Sequence, residues 1–195
     1  MERPSDHLSV LQRLRAGHVR RWHIVAMARE QTIAEHSHRV QTITHAILEA
    51  MNRYDWGDSL CINAMEWARV HDMAEAVVGD MPTNAKQFIR NELDGADLLE
   101  ELADRTDLNI AELRVCVEED CPLAGAIVKL ADLAEATNWV QIFGLGAHAR
   151  SVAARLKTAT FDHLDKTIAM ASFRPETCIR LRDLISSVIT PEGNT

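Results

Sequence analysis

In the stretch RVHDMAEAVVGDMPTNAK, residues 69–86, a His and an Asp stand side by side and a Glu follows three residues later. On a helix Glu75 is four residues from His71 and three from Asp72, so a single turn presents an imidazole and two carboxylates on one face. His36 falls on the apolar stripe of a preceding helix that also carries Val40, Ile43, Ile47 and Met51, where a polar side chain needs a partner. Asp132 sits among Leu130, Ala131, Leu133 and Ala134, with Lys129 and Glu135 three residues to either side. A carboxylate in so apolar a run is costly unless it is paired or bound to metal.

Together His36, His71, Asp72 and Asp132 offer two imidazoles and two carboxylates. That donor set suits a divalent transition ion such as Zn, Mn, Co or Fe, and suits Ca or Mg poorly because those ions prefer oxygen-only shells. Water on such an ion becomes acidic enough to ionise near neutral pH. Glu75, close by and not needed as a ligand, is then placed to take or relay its proton. The competing reading is a buried hydrogen-bonded network without metal. A lone His-Asp pair decides nothing in a chain with nine His.

These groups need elements to position them. Gly and Pro are sparse and apolar residues recur at spacings of three and four, which predicts helices. Ser5 and Asp6 are placed to cap a first helix carrying Leu8, Leu11 and Leu14 and stopped by Gly17. Residues 18–33 have weaker periodicity and are expected to be partly loop. A second helix is expected from near Ala34. A third, begun around Trp56, Gly57 and Asp58, runs through Leu60, Ala64, Trp67 and His71. A loop from Gly79 to Thr83 follows, and Asn84 caps a short helix through Phe88. The acidic middle, residues 91–120, is read as helical, broken around residues 106–109, and mostly a solvated face. Pro122 opens a long apolar helix ended by Gly144 and Gly146. Another long helix follows, and Pro175 opens the last. The expected fold is therefore all-α: a single domain over residues 1–195, with the C-terminal helices at 147–190 completing the bundle and a frayed tail after them.

A chain of 195 residues is large enough to bury one real core. A formal net charge of −8 argues against a nucleic-acid polymer or a membrane surface as partner, because both are polyanionic. An anionic substrate would have to meet a local cluster of cations. No apolar run approaches a membrane span, and the first residues show no signal-peptide core. Cys61, Cys116, Cys121 and Cys178 form no CxxC pair, so reduced thiols in a cytoplasmic protein are expected.

Four motifs in order carry a resemblance: RRWHI (20–24), TIAEHSHRV (32–40), HDMAEAVVGDMPTNAK (71–86) and VKLAD (128–132). Over residues 8–144 the chain resembles the HD-domain phosphohydrolases, in the branch holding the bacterial 5'-deoxynucleotidase of the YfbR type and the phage dATP triphosphohydrolase. The resemblance implies an HD-domain helical bundle. It implies a divalent metal (Zn, Co or Mn, with Mg less suited) on His36, His71, Asp72 and Asp132. Asp72 and Glu75 are then the catalytic carboxylates, Glu75 as the acid/base or water-orienting group. It further implies Arg21 on phosphate and Trp22 against the sugar, where a bulky ring disfavours a 2'-hydroxyl. Asp80 accepts from the 3'-hydroxyl, and Lys86 and Lys129 are cations near the phosphates. The relatives assemble, so a homo-oligomer is expected.

The chain departs from the bacterial nucleotidases, which usually show Arg-Trp-Pro-Leu and a second Pro after Pro-Thr; here His23, Ile24 and Asn84 stand instead. The Ile two residues after the Trp is shared with the phage enzyme, where it packs on adenine and a 2-amino group would clash. Ile24 therefore tilts the expectation toward dATP, cleaved to deoxyadenosine and triphosphate, with a 5'-deoxynucleotidase acting on dNMPs as the alternative. An HD-type di-iron oxygenase would need a second ligand set that is not seen, and cyclic-dinucleotide phosphodiesterases carry a GYP signature that is missing. A non-catalytic nucleotide-binding protein is disfavoured because every expected position is filled. His38 and His45 lie on the far side of their helix from His36 and are read as surface groups.

Overall fold

The computed structural model describes residues 8–52, 57–82, 85–86, 88, 91 and 107–190. Its named elements are all helices. Helix α1 (Val10–Leu14) runs into a 3-10 turn (Arg15–Gly17) and is followed by α2 (Ile33–Ala50), α3 (Gly57–Val70) and the short α4 (Glu75–Val78). Helix α5 (Leu108–Val115) widens into a π-helical turn (Cys116–Asp120), and α6 (Pro122–Phe143), α7 (Gly146–Ala171) and α8 (Pro175–Ile189) close the order. Among the described residues the extended pairings are two isolated bridges, Arg20 with Thr32 and Met27 with Gly144. The all-α expectation holds, and residues 18–32 form the expected loop. No described helix is long and apolar enough to cross a membrane.

Helix boundaries follow local chemistry. Thr32 caps α2, its hydroxyl accepting the Glu35 N–H at 3.1 Å. Pro122 and Pro175 each sit in the first turn of the helix they open. Helix α1 is capped by Ser9, which exchanges bonds with Gln12 in a capping box. Ser5 and Asp6, expected there, lie outside the described residues, as do Trp56, Thr83, Asn84, most of the acidic stretch before residue 107, and the tail. Of the expected α1 stripe only Leu8 is buried; Leu11 and Leu14 are exposed.

The expected run of α3 through His71 is corrected. The helix ends at Val70, and residues 71–74 form a tight turn in which Met73 N–H donates to the Val70 carbonyl at 2.8 Å and Glu75 N–H to the Asp72 carbonyl at 3.0 Å. These i→i−3 bonds wind the backbone more tightly than an α-helix. His71 and Asp72 therefore project from a turn, and Glu75 opens α4.

Helix α6 is the axis of the bundle and packs on α2, α3, α7 and α8. Ile127, Val128, Leu130, Ala131, Ala134, Trp139 and Val140 are all buried along it. A helix apolar on every side belongs in a core. Val40 and Ile47 of α2, Leu60 and Ala64 of α3, Leu164 of α7, and Leu181 and Ile185 of α8 belong to the same core. Two polar residues interrupt α6 where no water reaches. Thr137 bonds the Leu133 carbonyl and Thr160; Glu135 belongs to the site below.

The α6–α7 turn anchors the 18–32 loop. Ala28 N–H donates to the Phe143 carbonyl at 2.7 Å, and Leu145 N–H to the Ala26 carbonyl at 2.8 Å. Gly144 lets α7 turn back tightly on α6: a Cβ there would lie 2.4 Å from the Val140 carbonyl oxygen and 2.8 Å from the Ala149 Cβ. Gly144→Ala is expected to cost about 1–3 kcal/mol, the usual range for forced overpacking. Urea unfolding measures it, and an unchanged midpoint would show that the turn opens freely.

Candidate functional site

The site is built around His36, which enters from the first turn of α2 and is fully buried. Its Nδ1 lies 2.7 Å from Glu135 Oε2, so the ring donates there and turns Nε2 inward. His71 is held the same way, its Nδ1 3.0 Å from the Ala68 carbonyl. Each second nitrogen is thus fixed as the free one. Both Nε2 atoms are buried without a hydrogen-bond partner. Among the described residues, His36, His71 and Asp132 offer ligand atoms that all lie within 4.8 Å of one another. Asp72 borders this group: its Oδ2 is 3.3 Å from His36 Nε2 and 3.6 Å from His71 Nε2, while Asp132 Oδ1 is 3.4 Å from His36 Nε2. Neither carboxylate is aligned to satisfy the imidazoles as a hydrogen-bond acceptor. Two orphaned imidazole nitrogens facing two carboxylates is a donor set that fits a divalent cation.

The electrostatics agree. Burial and the Arg21 charge push the His36 pKa down, yet the facing carboxylates of Asp132 and Asp72 and the bond to Glu135 outweigh them and raise it to about 10. Burial lowers the His71 pKa and keeps that ring neutral. Burial opposes the charge on Asp132, but Lys129 and His36 hold the carboxyl well below the usual range.

Glu75 sits beside this cluster at the start of α4, buried. Its Oε1 accepts from Lys86 Nζ at 2.7 Å, and its Oε2 is buried without a partner. Burial, then the Asp72 charge, raise its pKa to about 7 against the opposing pull of Lys86. The group can therefore change protonation state near neutrality.

The structure brings all the sequence-predicted cations to the site, each resting on a carboxylate. Arg21 Nη1 is 3.1 Å from Asp72 Oδ2, Lys129 Nζ is 2.7 Å from Asp132 Oδ2, and Lys86 bonds Glu75. They neutralise the pocket's acids, so an anion is not repelled by a chain of net negative charge.

Trp22 takes a backbone φ of +69°, an uncommon conformation for a bulky residue and a sign of a position held by its surroundings. Its Nε1 donates to Gln31 Oε1 at 2.8 Å, and the Arg21 guanidinium lies 5.8 Å from its ring centre. Ile24 is 57% exposed, with its side chain open to an incoming group. Asp80 Oδ2 is 3.7 Å from His23 Nε2. His38 and His45 are exposed, as expected.

Sequence reasoning gave no role to a second layer. Glu135 is fully buried; its Oε1 accepts from Gln31 Nε2 and from Arg39 Nε, both at 2.7 Å, while Oε2 takes the His36 ring. Burial opposes its charge, and His36, Arg21 and Arg39 outweigh it and keep the carboxyl below its ordinary pKa. Glu135 three residues after Asp132 in an apolar run was the available signal, and so was Arg39 three residues after His36. Gln31, in a loop, gave none.

Comparison with known proteins agrees with this geometry. The family model described as 5'-deoxynucleotidase YfbR-like matches residues 6–136. The dATP triphosphohydrolase of Cyanophage S-2L is 36% identical over 147 residues, covering 72% of this chain and 74% of that protein. The dATP triphosphohydrolase of Acinetobacter phage SH-Ab 15497 is 28% identical over 171 residues, covering 82% of this chain and 81% of that one. The solved structure of the Cyanophage S-2L HD phosphohydrolase, bound to dA and one catalytic Zn2+ ion, superposes with a TM-score of 0.77 at 30% identity, covering 93% of this chain and 96% of that one. With the four motifs, the HD turn and the all-α bundle in place, the chain belongs to the YfbR-like 5'-deoxynucleotidase family of HD-domain phosphohydrolases.

Proposed function

We propose that this protein is a metal-dependent phosphohydrolase of 2'-deoxynucleotides that breaks the P–O5' bond, converting dATP to deoxyadenosine and triphosphate. The observation that carries it is the pair of buried, unpartnered Nε2 atoms of His36 and His71 facing Asp72 and Asp132. The phage dATP triphosphohydrolases, similar over most of the chain, supply the substrate. In this reading His36, His71, Asp72 and Asp132 would hold a Zn, Co or Mn ion, which would supply Lewis-acid chemistry to the phosphate and the attacking water.

The remaining steps belong to side chains. Glu75 takes the water proton on its open Oε2, with Lys86 holding the other oxygen in place. Water oxygen bonds to the α-phosphorus, the P–O5' bond breaks, and the proton taken by Glu75 passes to O5', which leaves as the nucleoside hydroxyl. Arg21, Lys86 and Lys129 face the growing charge on phosphate oxygens. Trp22 lies against the sugar and excludes a 2'-hydroxyl, Asp80 accepts from the 3'-hydroxyl, and Ile24 packs on the base.

The deciding experiment is nucleoside release from dNTPs, dNMPs and their ribo-counterparts with Co, Mn or Zn, resolved by chromatography. Deoxyadenosine with intact triphosphate from dATP is expected. Release from dNMPs with dNTPs untouched would instead establish the second reading, a 5'-deoxynucleotidase, the activity in the matched family's description. Ile24→Ala is expected to lower the preference for dATP over dGTP by about tenfold, the lower end of what a few methylene contacts discriminate. The ratio of kcat/KM values measures it, and an unchanged ratio would remove Ile24 from base recognition. A homo-oligomeric, cytoplasmic protein belongs to the same proposal, and light scattering of the purified chain tests the assembly.

A further inference from the structure

We infer that Gln31 is the positioning residue that sets discrimination against the ribose 2'-hydroxyl, by locking the Trp22 ring and tying it to the network that orients His36. The inference rests on the proposed placement of Trp22 against the sugar. Gln31 is fully buried, and both ends of its amide are engaged: Oε1 accepts from Trp22 Nε1 at 2.8 Å, and Nε2 donates to Glu135 Oε1 at 2.7 Å. Its backbone carbonyl accepts the Arg21 N–H at 2.9 Å, and the neighbouring Arg20–Thr32 bridge closes the loop. One residue therefore fixes the backbone of the Arg21-Trp22 pair and the rotation of the indole.

The chemistry of this position suits an amide. Trp22 offers only a donor and Glu135 only acceptors. The side chain between them must accept at one end and donate at the other without charge. A carboxylate at 31 would accept from the indole but face Glu135 with a like charge. An aliphatic side chain would fill the space and leave both neighbours with a lost bond. Glu135 also takes the His36 Nδ1–H at 2.7 Å, so the ring that reads the sugar and the imidazole at the centre of the site share one buried carboxylate. Arg39 remains as a second donor to that carboxylate at 2.7 Å. Losing Gln31 therefore frees the indole more than it disturbs His36. The effect should fall on substrate discrimination rather than on metal content.

The test is calorimetric binding of deoxyadenosine and adenosine to the Zn-loaded wild type, Gln31→Leu, Trp22→Phe and the double variant, with bound zinc and helical content checked for each. Steady-state kinetics on dATP and ATP run beside it. Gln31→Leu is expected to lower the deoxyadenosine-over-adenosine affinity ratio by about tenfold, the upper size for one neutral hydrogen bond. The kinetic loss should appear in KM with kcat largely kept. Trp22→Phe keeps an aromatic ring but removes the same bond from the other side. It should produce the same loss, and the double variant little more than either alone. Should Gln31→Leu fail to fold, Trp22→Phe carries the decision alone. A wild-type ratio retained in folded, zinc-loaded Gln31→Leu or in Trp22→Phe, while Trp22→Ala loses it, overturns the role of Gln31 and leaves Trp22 at the sugar. Equal binding of both nucleosides by the wild type overturns the placement of Trp22 and this inference with it.

Discussion

Asp132→Ala is expected to leave the purified protein without stoichiometric divalent metal and to lower turnover by at least about 10³-fold. The magnitude follows from removing several kcal/mol of metal-supplied transition-state stabilisation, at a factor of ten for every ~1.4 kcal/mol. Asp132 contributes one of the three mutually close ligand atoms and sits 3.4 Å from His36 Nε2. Without it His36 keeps its bond to Glu135 but loses an anion at the face where the ion would bind. Asp72→Ala should do the same, since Asp72 Oδ2 approaches both Nε2 atoms. Lys129→Ala is the control: it removes the partner of Asp132 without removing a donor, so metal should stay. Metal analysis by mass spectrometry and nucleoside release are read on the same preparations. Wild-type turnover in metal-stripped protein would sink the mechanism.

Glu75→Gln is expected to lower kcat by about 10²–10⁴-fold, the span usually supplied by a positioned acid or base, while metal content stays at the wild-type level. The substitution keeps an oxygen for Lys86 and removes the ability to take a proton. The pH profile gives the sign. A proton acceptor must be ionised, and the Glu75 pKa is raised to about 7 by burial and by Asp72. Activity should therefore fall as pH drops through that value. Positive charge bound nearby moves the limb lower, never higher. Glu75→Gln should erase this limb together with the rate. A variant within a few-fold of wild type, or one with the acid limb intact, would assign proton transfer to another group.

Much of this site was legible in the chain because its parts are local. His71, Asp72 and Glu75 are near neighbours, and Asp132 announces itself as a charge in an apolar helix. Pro122 and Pro175 marked true helix starts because a proline's missing N–H costs nothing in a first turn. The errors also have local causes. The helical reading failed just past its last α-type bond, from His71 N–H to the Trp67 carbonyl: the i→i−3 bonds that follow keep side chains three and four apart close together, so the spacing of His71, Asp72 and Glu75 did not reveal the break. Leu11 and Leu14 have core spacing but are exposed, since periodicity says which side is apolar and not whether anything covers it. The second layer was hidden by distance along the chain. Gln31 and Glu135 are separated by 104 residues and Glu135 and His36 by 99, and no spacing rule links residues so far apart. The pairing of each cation with an acid was equally invisible, because composition counts charges without placing them.

The site draws its donors from three separate stretches of chain: the start of α2, the turn after α3, and the middle of α6. An ion held there acts as a cross-link among them, and folding and metal uptake become linked equilibria. Free metal at a hundred times its dissociation constant would add about 2.7 kcal/mol to the stability of the native chain. The melting temperature then reads out metal supply, and a chelator weakens the bundle as well as the catalyst.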